Sequence, residues 1–420
     1  MVSFLPYYAS VHRGAGFKSQ VSTLAWEKAR RMALAFVGAD PSSHTGIFVN
    51  NTTEAIRKLA ARIPWQPDDV VLITQMEHHS NDLPFRGPVR VDHVRVLPDG
   101  RLDEADFDAR LASHRGVLPL VTVSGASNVT GFLNPIHCLA EKAHRAGAMI
   151  LVDCAQLAPH RPINIRPLDD PAHLDFGAFS AHKMYAPFGS GVLVGRRDVF
   201  ERGAPEMRGD GTVEIVTLDE MLCSAPTERE EAGSPNVVGA VALAATCREL
   251  QAIGVDRVAA HEQELTAYAL AHLGAIPGIQ IFGDRDPQPA GERLGIIPFQ
   301  VEGMSHFLVA AALSCEYGIG VCNGCFCAQP YVLRLLGLTP AEADRVRADI
   351  RRGDRRQMPG FVRASFGLYN TREEVDTLAE ALAAIARGEL RGTYVQDPHS
   401  GDYHPVTWSP DIEGRLERTL

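Results

Sequence analysis

The chain reads as an α/β protein with a large domain built on a mainly parallel sheet covered by helices, followed by a smaller α+β domain. Three observations predict this. Short β-rich runs alternate with helical patterns through the first 240 residues. Polar residues suited to chemistry recur just after those runs. From about Val241 the alternation gives way to a long amphipathic helix and then to period-two segments.

Taken in order, the strands are expected at Gly46 to Asn50, Val70 to Thr74, Leu118 to Ser124, Met149 to Val152, Phe176 to Ser180 and Gly191 to Gly195. Each is a short run rich in branched or aromatic residues. Between them, Ala55, Ile56, Leu59, Ala60 and Ile63 share one face of a helix over Glu54 to Ile63, and Ile136 to Ala146 has the same period. Ala242 to Ile253 reads as the amphipathic helix. Gly278 to Phe282 and Gly295 to Val301 alternate as half-buried strands do. A last helix ends near Arg387, with Gly388 as its stop. The expected organisation is an N-terminal segment over 1–22 that joins the small domain or a dimer interface, a large domain over 23–240, a small domain over 241–390 and an extended tail over 391–420.

Composition excludes several classes. A formal charge of -10 is wrong for a protein that neutralises the phosphates of a nucleic acid. The basic cluster from Arg345 to Arg356 is interleaved with Asp344, Asp349 and Asp354, which reads as a solvated helix and loop. No apolar run is long enough for a bilayer span, and no signal-like segment opens the chain, so the expectation is a cytoplasmic protein without membrane association. The eight cysteines do not make a disulfide framework. Cys138, Cys154, Cys223, Cys247 and Cys315 are expected as small core residues. Cys322, Cys325 and Cys327 cluster in a glycine-containing segment expected to be a loop. Their spacing lacks the two separated pairs of a zinc site, and no metal centre is expected.

Lys183 is the most informative residue. It lies in Phe179-Ser180-Ala181-His182-Lys183 ahead of the glycines at 189 and 191, and downstream of Asp153, which ends an apolar run. A lysine amine that captures an aldehyde, paired with a buried carboxylate that keeps a pyridine nitrogen protonated, is what pyridoxal phosphate requires. Asn51-Thr52-Thr53-Glu54 lies between a strand and a helix, where main-chain N–H groups and threonine hydroxyls suit a phosphate. Alone this is a common helix cap; the order of the motifs gives it weight. In open α/β sheets the ligand crevice lies beyond the carboxyl ends of the strands, where His78, Asn128, Asp153 and Lys183 would converge.

With Val11-His12-Arg13-Gly14, Met76-Glu77-His78-His79-Ser80-Asn81, Ser127-Asn128-Val129, Asp153 through Gln156, Ser180 through Lys183, Gly233-Ser234-Pro235-Asn236, Cys327-Ala328-Gln329-Pro330 and Arg363-Ala364-Ser365 in this order, the chain resembles the class V aminotransferase-fold enzymes. The likeness is to the cysteine desulfurases of the selenocysteine-lyase-like group. It implies a fold type I pyridoxal phosphate enzyme in which Lys183 forms the Schiff base, Asp153 partners the pyridinium and His78 stacks on the ring and moves protons. Asn128 and Gln156 would contact the ring hydroxyl. Thr53, Ser180 and His182 would hold the phosphate with Thr52 nearby, and Ser234 would reach the phosphate of a neighbouring subunit, which implies a homodimer. Arg363 would anchor the carboxylate of a small amino-acid substrate, Arg13 would act near the partner's site, and Cys327 would accept sulfur before passing it to a thiol or a sulfur-acceptor protein.

The chain departs from that pattern where substrate choice is decided. Cys322 stands where these desulfurases usually carry an arginine, and Cys325 and Phe326 replace a pair often rich in histidine. The roles of Cys322 and Cys325 stay open, with a relay between Cys325 and Cys327 as one possibility. The resemblance implies a segment ahead of Tyr7-Tyr8, whereas this sequence begins almost at that region; the expectation is either a truncated sequence or a differently built pocket. An aminotransferase, epimerase or specialised biosynthetic lyase acting on another amino acid is the alternative reading.

Overall fold

A seven-stranded sheet organises the larger part of the computed structural model, which describes residues 2–12, 14–287, 292–408, 411–417 and 419. Its strands are β1 (His44–Val49), β2 (Val70–Thr74), β3 (Arg90–Val94), β4 (Leu120–Ser124), β5 (Met149–Asp153), β6 (Phe176–Ser180) and β7 (Gly191–Arg196), in the spatial order β1-β7-β6-β5-β4-β2-β3. The run from β3 to β6 is parallel, while β7 lies antiparallel to both β6 and β1. β1, β2, β4 and β6 are buried along their whole length. That is why they read as continuous apolar runs rather than alternating ones.

Helices α1 (Phe17–Phe36), α2 (Thr52–Arg62), α3 (Glu104–Ser113), α4 (Ile136–Arg145), α5 (Arg197–Glu201) and α6 (Val237–Ile253) belong with this sheet. On α2, Ala55, Ile56, Leu59 and Ala60 are buried in a core shared with Ile47, Ile73, Phe176 and Leu193. Fully burying an isoleucine or leucine side chain contributes about 1.5–3 kcal/mol. α1 packs along α6. A short hairpin of β8 (Val213–Val216) and β9 (Met221–Cys223) follows α5.

The chain divides into two compact units. The first comprises the residues up to Leu97, Leu102–Ser127 and Leu133–Ala260; the second comprises Pro98–Arg101, Asn128–Phe132 and His261–Leu420. Helix α7 (Val255–Gly274) crosses the division. The second unit carries an antiparallel sheet of β10 (Ile279–Ile281), β11 (Ile296–Val301), β12 (Cys322–Gly324) and β13 (Phe361–Ser365), in the order β10-β11-β13-β12. Helices α8 (His306–Tyr317) and α11 (Arg372–Ala386) pack on each other. They share a core in which Phe299, Val309, Leu313, Val362 and Leu382 are buried. Between them lie α9 (Gln329–Leu335) and α10 (Pro340–Arg351); α10 buries no residue, as a solvated helix should. The C-terminal stretch forms a hairpin of Tyr394–Gln396 with Tyr403–Pro405.

Two expectations need correcting. The segment holding the three clustered cysteines is not all loop, because Cys322–Gly324 pairs with Phe361–Arg363 as β12. Of the cysteines expected in the core, Cys154 and Cys247 are buried, but Cys138 is exposed and Cys223 and Cys315 are half-buried. No single helix among the described residues is long and apolar enough to cross a membrane.

Candidate active site

In the first unit, the predicted residues gather at the carboxyl ends of β5, β6 and β1. β6 ends at Ser180, and the chain tightens at once into a helical turn over Ala181–Met184 that carries His182 and Lys183. The turn stops at Tyr185, whose φ of 64° takes the chain into the left-handed region. Lys183 Nζ donates to Gln156 Oε1 at 3.4 Å. Asp153, the last residue of β5, is buried, and its Oδ1 accepts the Ala155 N–H at 2.9 Å. Burial pushes its carboxyl above the usual range, while the Ala155 N–H and the charge of Lys183 pull it back. His182, at the surface, is lowered by partial desolvation and by the charge of Lys183 beside it.

The opening of α2 completes this group. Asn51 caps the helix by accepting the Glu54 N–H at 3.0 Å. The Thr52 N–H donates to Ser180 Oγ at 2.7 Å, and the two hydroxyls lie 2.6 Å apart. Thr53 Oγ1 lies 2.6 Å from Ser80 Oγ. Gly191 makes this approach possible. A Cβ there would stand 2.9 Å from both Asn51 Cα and the Phe179 carbonyl, so only glycine lets β7 pass beneath the start of α2.

His78 follows β2, and its Nδ1 accepts the main-chain N–H of Ser80 at 3.1 Å. The carboxylate of the preceding residue, Glu77, is buried. It accepts Thr74 Oγ1 at 2.6 Å, Asn81 Nδ2 at 2.7 Å, Ser124 N–H at 3.0 Å and Ser124 Oγ at 2.6 Å. Burial pushes Glu77 up to about 7, and the donors from Ser124, Thr74 and Asn81 hold it from rising further. Reading the sequence missed Glu77, Ser80 and Ser124 as parts of this group. Glu77 and Ser80 share the Met76-Glu77-His78-His79-Ser80-Asn81 motif with His78, and that proximity is the signal the sequence carries. Ser234 is exposed and lines a separate groove of about 600 Å³ with Tyr8, His12, Trp26 and Asp210. Arg13 lies outside the described residues.

The remaining predicted residues belong to the second unit. Arg363 of β13 pairs in register with Cys322 of β12. Its Nη1 donates to the Asn128 carbonyl at 2.6 Å, and its guanidinium carbon lies 4.7 Å from the centre of the Phe326 ring. Burial lowers this guanidinium, and Cys322 acts in the opposite sense. Asn128 Nδ2 donates to the Phe326 carbonyl at 2.7 Å, so its amide braces this loop. Phe326 and Cys327 have φ of 52° and 54°, two consecutive non-glycine residues in the left-handed region. Such residues cost about 1–2 kcal/mol each and persist where the surroundings hold them. Cys327 is exposed, whereas Cys325 is buried, donates its thiol to the Pro359 carbonyl at 3.1 Å, and is pushed by burial up to about 11.

The family model described as Aminotransferase class-V matches residues 1–378. A cysteine desulfurase of Dickeya dadantii (strain 3937) is 35% identical over 393 residues, which cover 91% of this chain and 87% of that protein. A probable cysteine desulfurase of Streptomyces coelicolor is 33% identical, covering 90% and 86%. Among solved structures, the apo cysteine desulfurase of Thermococcus onnurineus NA1 superposes with a TM-score of 0.78 at 31% identity, covering 92% of this chain and 89% of that one. The S-sulfonic acid form of the cysteine desulfurase CsdA from Escherichia coli gives 0.75 at 27% identity, covering 93% and 91%. With a family match over most of its length and relatives this similar across nearly their whole chains, the protein belongs to the class V aminotransferase family.

Proposed function

We propose that this chain is a pyridoxal phosphate-dependent cysteine desulfurase, which takes sulfur from L-cysteine, or selenium or sulfur from a related amino acid, and leaves alanine. The observation that carries this reading is the presence, in one chain, of a lysine and a buried aspartate at the ends of adjacent strands of the first unit and of an exposed Cys327 on a left-handed turn of the second. The relatives named as cysteine desulfurases support it.

The donor set fits the cofactor. One amine lies near one buried carboxylate, and the hydroxyls of Thr52 and Ser180 meet at a helix start whose cradle a Cβ at residue 191 would fill, with Thr53 next to Thr52 in sequence. When bound, the cofactor supplies an electron sink for charge that develops on the substrate's α-carbon. Thr52, Thr53, Ser180 and His182 hold its phosphate, helped by the N-terminus of α2. Asp153 keeps a proton on the pyridine nitrogen. Gln156 and Asn128 are the partners of the ring hydroxyl. Lys183 would hold the cofactor through its aldehyde, and its amine is the base for the substrate's α-proton. His78 moves protons from the ring face.

Arg363 binds the substrate carboxylate, for which a planar fork is suited. The Cys327 thiolate attacks the substrate sulfur. An S–S bond forms as the C–S bond breaks, the bonding pair stays on carbon, and a proton completes alanine. The resulting persulfide passes to a small thiol or a sulfur-acceptor protein. Ser234 and Arg13 serve the second subunit of a homodimer, and the enzyme works in the cytoplasm.

A second reading, another amino-acid substrate with the same cofactor, is favoured by one observation: Arg363 is engaged by the Asn128 carbonyl and the Phe326 ring beside Cys322. Assays of alanine and racemised or transaminated product from a panel of amino acids separate the two. Alanine from L-cysteine supports desulfuration, and turnover confined to other substrates overturns it.

A further inference from the structure

A second cluster of ligating side chains lies at the other end of β6. Asp175 precedes this strand, so it is separated from Ser180 by roughly 15 Å of strand rise. Its carboxylate is buried, and its oxygens accept Ile150 N–H at 2.8 Å and Arg196 Nη1 at 3.0 Å. Two imidazoles converge on the same carboxylate. His144, in the last turn of α4, brings Nε2 to 2.8 Å, and His173 brings Nε2 to 3.3 Å.

The other nitrogen of each ring is already committed. His144 Nδ1 lies 2.8 Å from the Pro171 carbonyl, and His173 Nδ1 lies 2.7 Å from that of Asp170. A carbonyl can only accept, so both Nδ1 atoms carry protons, and in the neutral rings both Nε2 atoms are bare lone pairs. They point at an anion. A second proton on His144 would turn its 2.8 Å contact into an imidazolium–carboxylate bond and leave the His173 lone pair facing Oδ1, whereas protonating both would set two imidazolium rings face to face. Their centroids are 4.1 Å apart with planes 23° from parallel, and Arg196 already lies against the carboxylate. One divalent cation satisfies all three groups at once.

The ligand atoms lie within 4.8 Å of one another. Both histidines hold the main-chain carbonyl bonds by which metal-bound imidazoles are usually oriented. His137 Nδ1, at 2.8 Å from the Ala172 carbonyl, fastens the same loop to α4 from a third point. We propose that His144, His173 and Asp175 form a site for a divalent transition metal of borderline softness, of which Zn²⁺ is the type, with a position left for water. The sequence alone led to no metal being expected. Its distance along β6 from Ser180 makes the site structural, a tie between the end of α4 and the start of β6.

The test uses cofactor-loaded protein freed of metal by a chelator and then titrated with Co²⁺, followed by its visible ligand-field absorption, and with Zn²⁺, followed by elemental analysis. A background carrying Cys322→Ser, Cys325→Ser and Cys327→Ser removes the thiolates that would compete. The proposal expects one ion per chain in that background, a melting midpoint raised by roughly 2–5 °C with excess Zn²⁺, and affinity weakened about 10–100-fold in His144→Gln and in His173→Gln. Glutamine keeps a donor for each carbonyl, and the visible band of the bound cofactor reports that the variants are folded. Absence of stoichiometric binding at micromolar metal, or unchanged affinity in both histidine variants, overturns the proposal.

Discussion

The main-chain N–H of Ser80 donates to His78 Nδ1 at 3.1 Å, and that single contact sets which nitrogen of His78 can carry a proton. With Nδ1 occupied as an acceptor, the neutral ring holds its proton on Nε2. Replacing His78 with alanine should lower kcat by about 10²–10⁴-fold, the usual contribution of a positioned acid–base group. The visible band of the bound cofactor should persist. A loss of the band together with activity would make His78 a binding residue instead.

Glu77, buried and next to His78 in sequence, should impose a pH dependence on stability. Between the ordinary value of 4.5 and about 7, the folded protein keeps a proton that the unfolded chain has released. Its contribution therefore favours folding below that window and is lost as pH rises through it. The span corresponds to at most about 3–4 kcal/mol. Urea midpoints measured near pH 5 and near pH 7.5 should fall with pH in the wild type and fall less in Glu77→Gln. Parallel slopes would contradict this account.

Gly191→Ala tests the cradle. The added Cβ meets main-chain atoms of Asn51 and Phe179 at 2.9 Å, which have no rotamer to escape into. Overpacking of this kind costs about 1–3 kcal/mol. Because it displaces the start of α2, cofactor affinity measured by absorbance titration should fall by about tenfold or more. Unchanged affinity would detach this helix start from phosphate binding.

Arg363→Lys keeps the charge and loses the fork. Its effect should appear chiefly in KM for L-cysteine, raised by about 10–100-fold, as expected when a bidentate carboxylate contact is reduced to a point charge. A variant with unaltered KM would remove Arg363 from substrate recognition.

The strands that place the site were legible because they are buried on both faces, and so appear as short apolar runs that end just before Asp153 and Lys183. α1 was not. Its buried residues are Ser19, Ser22, Trp26, Ala29, Arg30, Ala33, Leu34 and Phe36, and Arg30 is buried by ion pairing with Glu231 at 2.7 Å. Ser19, Ser22 and Arg30 interrupt the apolar period, and large apolar residues on this face are confined to Trp26, Leu34 and Phe36. β3 was missed for a related reason: as an edge strand with Arg90, Asp92 and His93 it carries the charge that protects an edge and hides the pattern. Strand direction is not encoded in hydrophobic periodicity, so the antiparallel course of β7 could not be read. The motif around His78 pointed to the histidine, but the bonds of Glu77 to Thr74 and Ser124 bridge two strands and exist only in the fold.

The central claim concerns Cys327 and is tested most directly by incubating cofactor-loaded protein with L-cysteine and a reductant while measuring alanine and sulfide together, with Cys327→Ala alongside. Equal amounts of alanine and sulfide from the wild type, and neither from the variant, are expected. Product formation that is unaffected by Cys327→Ala would contradict sulfur transfer through that thiol.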